Sequence, residues 1–328
     1  MKLLVVGGAG YIGSHTVRRL NQQGHQVVVF DNLSTGHRQA VPPGQLIVGE
    51  LSQVEHLSRV MQDHGIEAVL HFAAFALVGE SVSDPARYYQ NNVAGTLHLL
   101  EAMRTSGVSR IVFSSTTATY GIPQRLPITE QEPQHPVNPY GFSKLVIERA
   151  LEDYASAYGL AYAALRYFNA AGASPDGDLG EDHTPESHLI PIILQVALGQ
   201  RDEITLFGDD YPTPDGTCVR DYIHVNDLAE AHLLALDKLN PGRGLKLNLG
   251  TGAGYSVKEI VDMCRQITGH AIPASIGPRR AGDPPELVAD ASSARHVLDW
   301  SPRCSELQTI IDTAWRWHRT HPSGYGAR

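Results

Sequence analysis

Lys2-Leu3-Leu4-Val5-Val6-Gly7-Gly8-Ala9-Gly10-Tyr11-Ile12-Gly13 opens the chain and decides its fold. Residues 2–6 are an apolar run too short for a helix and closed by glycine, which predicts a buried strand. Gly7, Gly10 and Gly13 then recur at three-residue intervals, and Gly8-x-Gly10-x-x-Gly13 overlaps them. Glycines there let the turn tighten, let backbone approach a pyrophosphate and let the next helix pack on the strand. A helical pattern follows over 12–23, and its N-terminus offers free N–H groups to phosphates. A second apolar run, 26–30, ends at Asp31, the spacing a dinucleotide site requires. A carboxylate there accepts from a ribose 2′-OH and repels a 2′-phosphate, which favours NAD over NADP. Arg38 downstream is the candidate that would meet a 2′-phosphate instead.

Further along, Pro139-Tyr140-Gly141-Phe142-Ser143-Lys144 sets a phenol and an ammonium four residues apart, on one face of a helix. Asn138 and Pro139 read as N-cap and first helical residue. An ammonium beside a phenol, and the helix N-terminus behind it, favour the phenolate and lower a pKa that is otherwise about 10. The expected product is a tyrosine that takes a proton from a hydroxyl near neutral pH. Such a pair alone is commonplace on helix surfaces. It gains weight from the nucleotide turn.

Apolar strand-like runs recur at 2–6, 26–30, 45–48, 68–72, 110–114 and 161–167, with helical patterns at 12–23, 84–106 and 139–158 between them. That alternation predicts an α/β fold, a doubly wound parallel Rossmann sheet. Ligands in such sheets sit at the carboxyl ends of the strands. Phe72-Ala73-Ala74, Ser114 to Thr117, and Tyr167 with Asn169 should therefore converge with Tyr140 on one crevice. After Asn169 the texture becomes rich in Gly, Pro, Asp and Ser, which marks a departing loop. We expect an NAD-binding domain over 1–168 and a smaller C-terminal α/β substrate domain over 169–328. Segments such as 221–239 are expected to pack back on the first.

A net charge of −9 argues against a nucleic-acid or membrane-surface protein. No apolar run approaches the ~20 residues that span a bilayer. The first strand starts at residue 2, which leaves no room for a signal peptide, so a cytoplasmic protein is expected. Cys218, Cys264 and Cys304 are scattered and odd in number, without a disulfide or zinc pattern. The sixteen histidines form no compact ligand motif, and no metal is expected.

Taken together, Gly7 to Gly13, Asp31-Asn32, Tyr140-x-x-x-Lys144 and Arg220-Asp221-Tyr222-Ile223-His224 resemble the extended short-chain dehydrogenase/reductases, and within them the sugar-nucleotide 4-epimerases. Val78-Gly79-Glu80-Ser81, Tyr88-Tyr89-x-Asn91-Asn92-Val93, Arg166-Tyr167-Phe168-Asn169 and Phe207-Gly208-x-Asp210-Tyr211-Pro212 carry the likeness onward, to Trp315-x-Trp317 and Tyr325. The resemblance implies interconversion of UDP-galactose and UDP-glucose through a 4-keto sugar, by transient hydride transfer to bound NAD. It implies Tyr140, Lys144 and Thr116 as catalytic residues, with Thr116 where serine is commoner. Ser115 or Thr117 facing the crevice instead is the alternative that strand alternation leaves open. For NAD it implies Gly7, Gly10, Tyr11, Ile12, Gly13, Asp31, Asn32, Glu50, Leu51, Phe72, Ala73, Ala74, Asn91, Ser114, Tyr140, Lys144 and Tyr167. Glu50 replaces a usual aspartate, Ala76 stands where some members carry a lysine, and Asn91 has a helix cap as its alternative role.

For the UDP sugar the resemblance implies Thr116, Tyr140, Asn169, Leu189, Thr205, Phe207, Arg220, Arg280, Asp283 and Leu287. Guanidinium forks suit diphosphate oxygens. Leu287 occupies the position that gates hexose size, intermediate between a tyrosine that excludes N-acetyl sugars and a small residue that admits them. UDP-GalNAc and UDP-GlcNAc are therefore candidate substrates beside UDP-galactose and UDP-glucose. His188 replaces an asparagine of some members and has no assigned role. Thr117-Ala118 lacks the acids of the related dehydratases. A 4-epimerase of another UDP sugar, pentose or uronic acid, shares the scaffold, and a non-catalytic NAD-sensing protein shares the fold. The helices matching 84–106 and 144–157 commonly pair two family members, which implies a homodimer.

Overall fold

The structure, a computed structural model, describes residues 1–280 and 283–326. Six strands alternate with helices through the first half: β1 (Lys2–Val6), β2 (Gln26–Asp31), β3 (Leu46–Val48), β4 (Ala68–His71), β5 (Arg110–Thr116) and β6 (Ala161–Tyr167). The second half carries β7 (Asn169–Ala171), β8 (Ile204–Phe207), β9 (Val219–His224), β10 (Gly244–Leu249), β11 (Gly254–Ser256), β12 (Ala274–Gly277) and β13 (Glu286–Leu287). The large sheet is parallel throughout, in the order β10-β6-β5-β4-β1-β2-β3. Strand order reverses between β1 and β4, so the carboxyl ends of these two strands open the crevice where such sheets hold ligands.

The apolar runs lack a polar face because both faces are covered. Leu3 and Val5 join one core with Val17, Leu20 and Leu228, whereas Leu4 and Val6 join the other with Leu57 and Leu99. Period-2 alternation thus divides each strand between two helical layers. Helices Tyr11–Gln22 and Val225–Asp237 pack together on one face; Val54–His64, Gly95–Ser106 and Pro139–Tyr158 lie on the other.

Past residue 168 the chain builds a third core from helices Leu189–Ala197, Val257–Thr268 and Leu307–Thr320. This core backs a small sheet in which β9 pairs with β7, β11 and β13, beside a separate β8–β12 pair. The division at residue 168 is not a clean cut. Residues 225–249 return to the first layer, because β6 would otherwise expose an apolar edge and β10 pairs along it from Gly244↔Tyr162 to Leu249↔Tyr167.

Element ends differ from expectation by a residue or two. The strand expected over 110–114 runs to Thr116, and the one expected over 68–72 stops at His71. The helix expected over 84–106 is interrupted. Pro85–Tyr88 leads through a π-helical turn, Tyr89–Ala94, into Gly95–Ser106. Among the described residues no helix is long and apolar enough to cross a membrane.

Candidate active site

At the end of β1 the glycine turn leaves no room for a side chain at Gly7 or Gly13. Gly7 has φ +78°, and a Cβ built there would lie 2.4 Å from the Ala73 amide nitrogen. A Cβ at Gly13 would lie 2.2 Å from the Gly7 carbonyl. The helix after it, Tyr11–Gln22, has Gly10 as its N-cap and no side-chain cap, so its first-turn amides remain available to an anion. Asp31 closes the turn from the side. Its Oδ2 accepts from Ala9 N at 2.9 Å and its Oδ1 from Leu33 N at 2.8 Å. Two amides leave a carboxylate with spare acceptor capacity for a ribose diol. Burial pushes the Asp31 carboxyl up, against those two hydrogen bonds. This cradle, uncapped helix and acid fit a dinucleotide.

Asn32 donates to the exposed Glu50 carboxylate at 3.1 and 3.3 Å, with Leu51 half-buried beside it. Arg38 is exposed at the start of a short 3-10 turn. Phe72 and Ala73 both donate backbone N–H to Val6 O, which lays the 72–74 segment along the crevice. Asn91 lies inside the π-helical turn and so is not a helix cap; it donates to Asn92 Oδ1 at 2.9 Å. Such turns are frequent at functional sites.

The helix Pro139–Tyr158 begins as its sequence dictates. Asn138 Oδ1 accepts from Gly141 N at 2.8 Å, and Pro139 occupies the first turn. The Tyr140 phenol lies beside the Thr116 side chain at the end of β5, and that hydroxyl favours its ionised form. One turn on, Lys144 is buried and donates to Ser114 O at 2.8 Å, with its ammonium 4.7 Å from the centre of the Phe113 ring. Ser114 Oγ shares a short hydrogen bond with the Tyr167 hydroxyl. Ser115 points away, donating to Glu148 Oε1 at 2.6 Å, and Thr117 Oγ1 donates to Tyr167 O at 3.2 Å. Of the three hydroxyls after Ser114, Thr116 is the one that reaches Tyr140.

The expected depression of the Tyr140 pKa is not what the fold produces. Burial pushes the phenol up, and the neighbouring Thr116 hydroxyl offsets only part of that rise. Burial also drives Lys144 down to about 7, against a supporting charge from Glu148. Spacing four residues apart registers the neighbouring charge and misses the desolvation.

The substrate candidates line the facing lobe. Asn169 starts β7, Leu189 starts the helix Leu189–Ala197, and Thr205 and Phe207 lie on β8. The Arg280 guanidinium lies 4.2 Å over the exposed Phe207 ring. Arg220 on β9 pairs with Asp283 at 2.5 Å, and Leu287 on β13 is the register partner of Arg220.

Three features escaped the sequence reading. Arg166 and Glu148 form an ion pair with side chains 2% and 0% exposed, directly under the β5 end that carries Ser115. Asn92 ties the crevice loop to the Tyr140 helix, accepting from Phe75 N at 2.9 Å and donating to Ser143 Oγ at 3.2 Å. Glu181, His183, Glu186 and His188 gather their ligand atoms within 4.8 Å of one another, contrary to the expectation that no histidine joins a compact ligand set. The spacing Glu-x-His-x-x-Glu-x-His was the available signal.

The family model described as the NAD dependent epimerase/dehydratase family matches residues 3–250. The UDP-glucose 4-epimerase of Halalkalibacterium halodurans is 55% identical over 326 residues, covering 99% of this chain and 98% of that protein. A crystal structure of a UDP-glucose 4-epimerase superposes with a TM-score of 0.97 at 53% identity, covering 100% of both chains. That of the Brucella ovis UDP-glucose 4-epimerase in complex with NAD gives 0.93 at 53% identity, over 96% of this chain and 98% of that one. The glycine cradle, the Tyr140–Thr116–Lys144 cluster and these likenesses agree, and the chain belongs to the NAD dependent epimerase/dehydratase family.

Proposed function

We propose that the protein interconverts UDP-galactose and UDP-glucose by inverting C4 of the hexose at the Tyr140 cluster. The carrying observation is the Tyr140 phenol beside Thr116 while Lys144 sits buried on Ser114, all at the carboxyl end of β5. NAD, when bound, supplies a reversible hydride acceptor for the sugar. Gly7, Gly10 and Gly13 would hold its pyrophosphate, Asp31 and Asn32 the adenosine ribose, Glu50 and Leu51 the adenine side, and Lys144 and Tyr167 the nicotinamide end. Tyr140 takes the proton of the C4 hydroxyl, and Thr116 holds the same oxygen as its bond to carbon becomes a carbonyl. The keto sugar turns about its diphosphate link, presents its other face, and receives the proton back from Tyr140.

Arg220 and Arg280 suit the diphosphate, Thr205 and Phe207 the uracil, and Asp283 the uridine ribose, with Asn169 and Leu189 alongside the sugar. Leu287 is intermediate in size at the position expected to gate the hexose, so UDP-GalNAc is a second substrate to test. Residues 1–168 serve the cofactor and 169–328 the substrate, apart from the returning stretch. A cytoplasmic setting fits three cysteines that are all unpaired. Two copies would join through the helices that expose Tyr89, Leu97 and Phe142.

The test is to incubate the purified protein with UDP-galactose, with and without added NAD⁺, and follow UDP-glucose by proton NMR. Approach to an equilibrium mixture supports the assignment. No conversion in either case removes it and directs the search to UDP pentoses and uronic acids.

A further inference from the structure

We propose that Glu181, His183, Glu186 and His188 form a binding site for a divalent transition-metal ion of the zinc class, separate from the Tyr140 cluster. Their donor set is two imidazole nitrogens and two carboxylates, the borderline chemistry that zinc takes. Glu181 Oε1 lies 2.8 Å from His188 Nδ1 and 3.2 Å from His183 Nδ1. Glu186 Oε1 lies 3.1 Å from His188 Nδ1, and its Oε2 lies 3.7 Å from His183 Nδ1. A tetrahedral ion with bonds of about 2.0–2.2 Å separates its ligand atoms by about 3.3 Å, inside that range.

Two further observations point to an ion rather than to simple pairing. The His183 Nδ1 atom is buried among the carboxylates, yet it makes no hydrogen bond of acceptable geometry with either, despite 3.2 Å to the nearer. A buried nitrogen 3.2 and 3.7 Å from two carboxylates and bonded to neither suits a central cation. The carboxylates are also held as ligands usually are. Both are nearly fully buried, 6% and 4% exposed, and Glu186 Oε1 accepts from Ser187 N and His188 N at 2.8 and 2.9 Å. The Trp317 indole donates to Glu181 O at 3.1 Å, fixing the strap to the last helix. Its position gives an ion consequence. The Tyr11 ring of the nucleotide turn meets His183 edge-on at 6.4 Å, and Leu189 follows His188 directly. A bound ion would lock the strap that joins the cofactor turn to the first residue of the substrate-side helix.

The experiment uses tag-free, full-length protein treated with chelator and then offered Zn²⁺ or Co²⁺ before gel filtration. One zinc retained per chain, a melting temperature raised by zinc and the visible absorption of four-coordinate cobalt are expected. His183→Asn is expected to lose all three while its far-ultraviolet circular dichroism stays that of the parent. Should that variant fail to fold, the cobalt spectrum of the parent decides alone. Substoichiometric zinc with the spectrum of hydrated cobalt overturns the proposal and leaves the cluster as a proton-held ion-pair network. Retention of zinc by folded His183→Asn equal to the parent overturns it as well.

Discussion

Tyr140 stands where burial and hydrogen bonding pull its proton in opposite directions. Burial raises the phenol, Thr116 favours its ionised form, and the neighbouring Lys144 is itself driven down to about 7 by burial. As the proposed base, Tyr140 depends on those partners. Tyr140→Phe removes the proton acceptor but touches neither the glycine cradle nor Asp31. Turnover should fall by about 10²–10⁴-fold while NAD content, read by absorbance after denaturation, stays that of the parent. A variant with parental turnover would contradict the assignment. The Tyr140–Lys144 relation was legible because helical spacing fixes which side chains share a face. The direction of the Tyr140 shift was not, since desolvation depends on what the rest of the chain packs around the helix. Strand alternation left Ser115 and Thr117 open beside Thr116, and only their packing onto Glu148 and Tyr167 settles the choice named by resemblance.

β5, β6 and the helix Pro139–Tyr158 are locked together by one buried pair. Arg166 on β6 donates to Glu148 Oε1 at 2.9 Å, and the same oxygen accepts from Ser115 Oγ at 2.6 Å. Glu148 follows Lys144 by four residues, so the pair supports the Tyr140–Lys144 face from below. Arg166→Met would leave a carboxylate buried and largely uncompensated, with Lys246 only at 3.9 Å. Breaking one side of a buried pair costs about 3–5 kcal/mol, and replacing both sides with apolar residues recovers much of it. The urea midpoint should therefore drop sharply for Arg166→Met and less for Arg166→Met with Glu148→Leu. A single variant as stable as the parent would refute the pair's role. At this scale the sequence showed the helix start at Asn138–Pro139 and every strand of the first half. It did not show the π-helical turn, whose Asn92 bonds the crevice loop at Phe75.

The whole molecule carries an acid liability that the linear chain does not announce. His15, His71, His224 and His232 are buried, and burial lowers their imidazoles to about 4, about 3, about 4 and about 4. Their unfolded value is about 6.5, so below it the unfolded chain takes up protons that the folded chain refuses. Their contribution is full above about pH 6.5 and is lost as pH falls from there toward about pH 4, and for His71 toward about pH 3. Chemical denaturation should show a loss of several kcal/mol between about pH 7 and about pH 5, before most carboxylates titrate. A flat profile over that interval would contradict the burial. Topology was legible at this scale as far as β6, because strand and helix patterns alternate. The return of 225–249 was foreseen only for its helix, since β10 is an ordinary short run until the open edge of β6 gives it a partner. The central claim, that C4 is oxidised and reduced within one site, is tested most directly with UDP-galactose carrying deuterium at C4. Product UDP-glucose should retain the deuterium at C4 in ordinary water, because the same hydride returns to the carbon it left. Loss of the label to solvent, with conversion proceeding, would contradict the account.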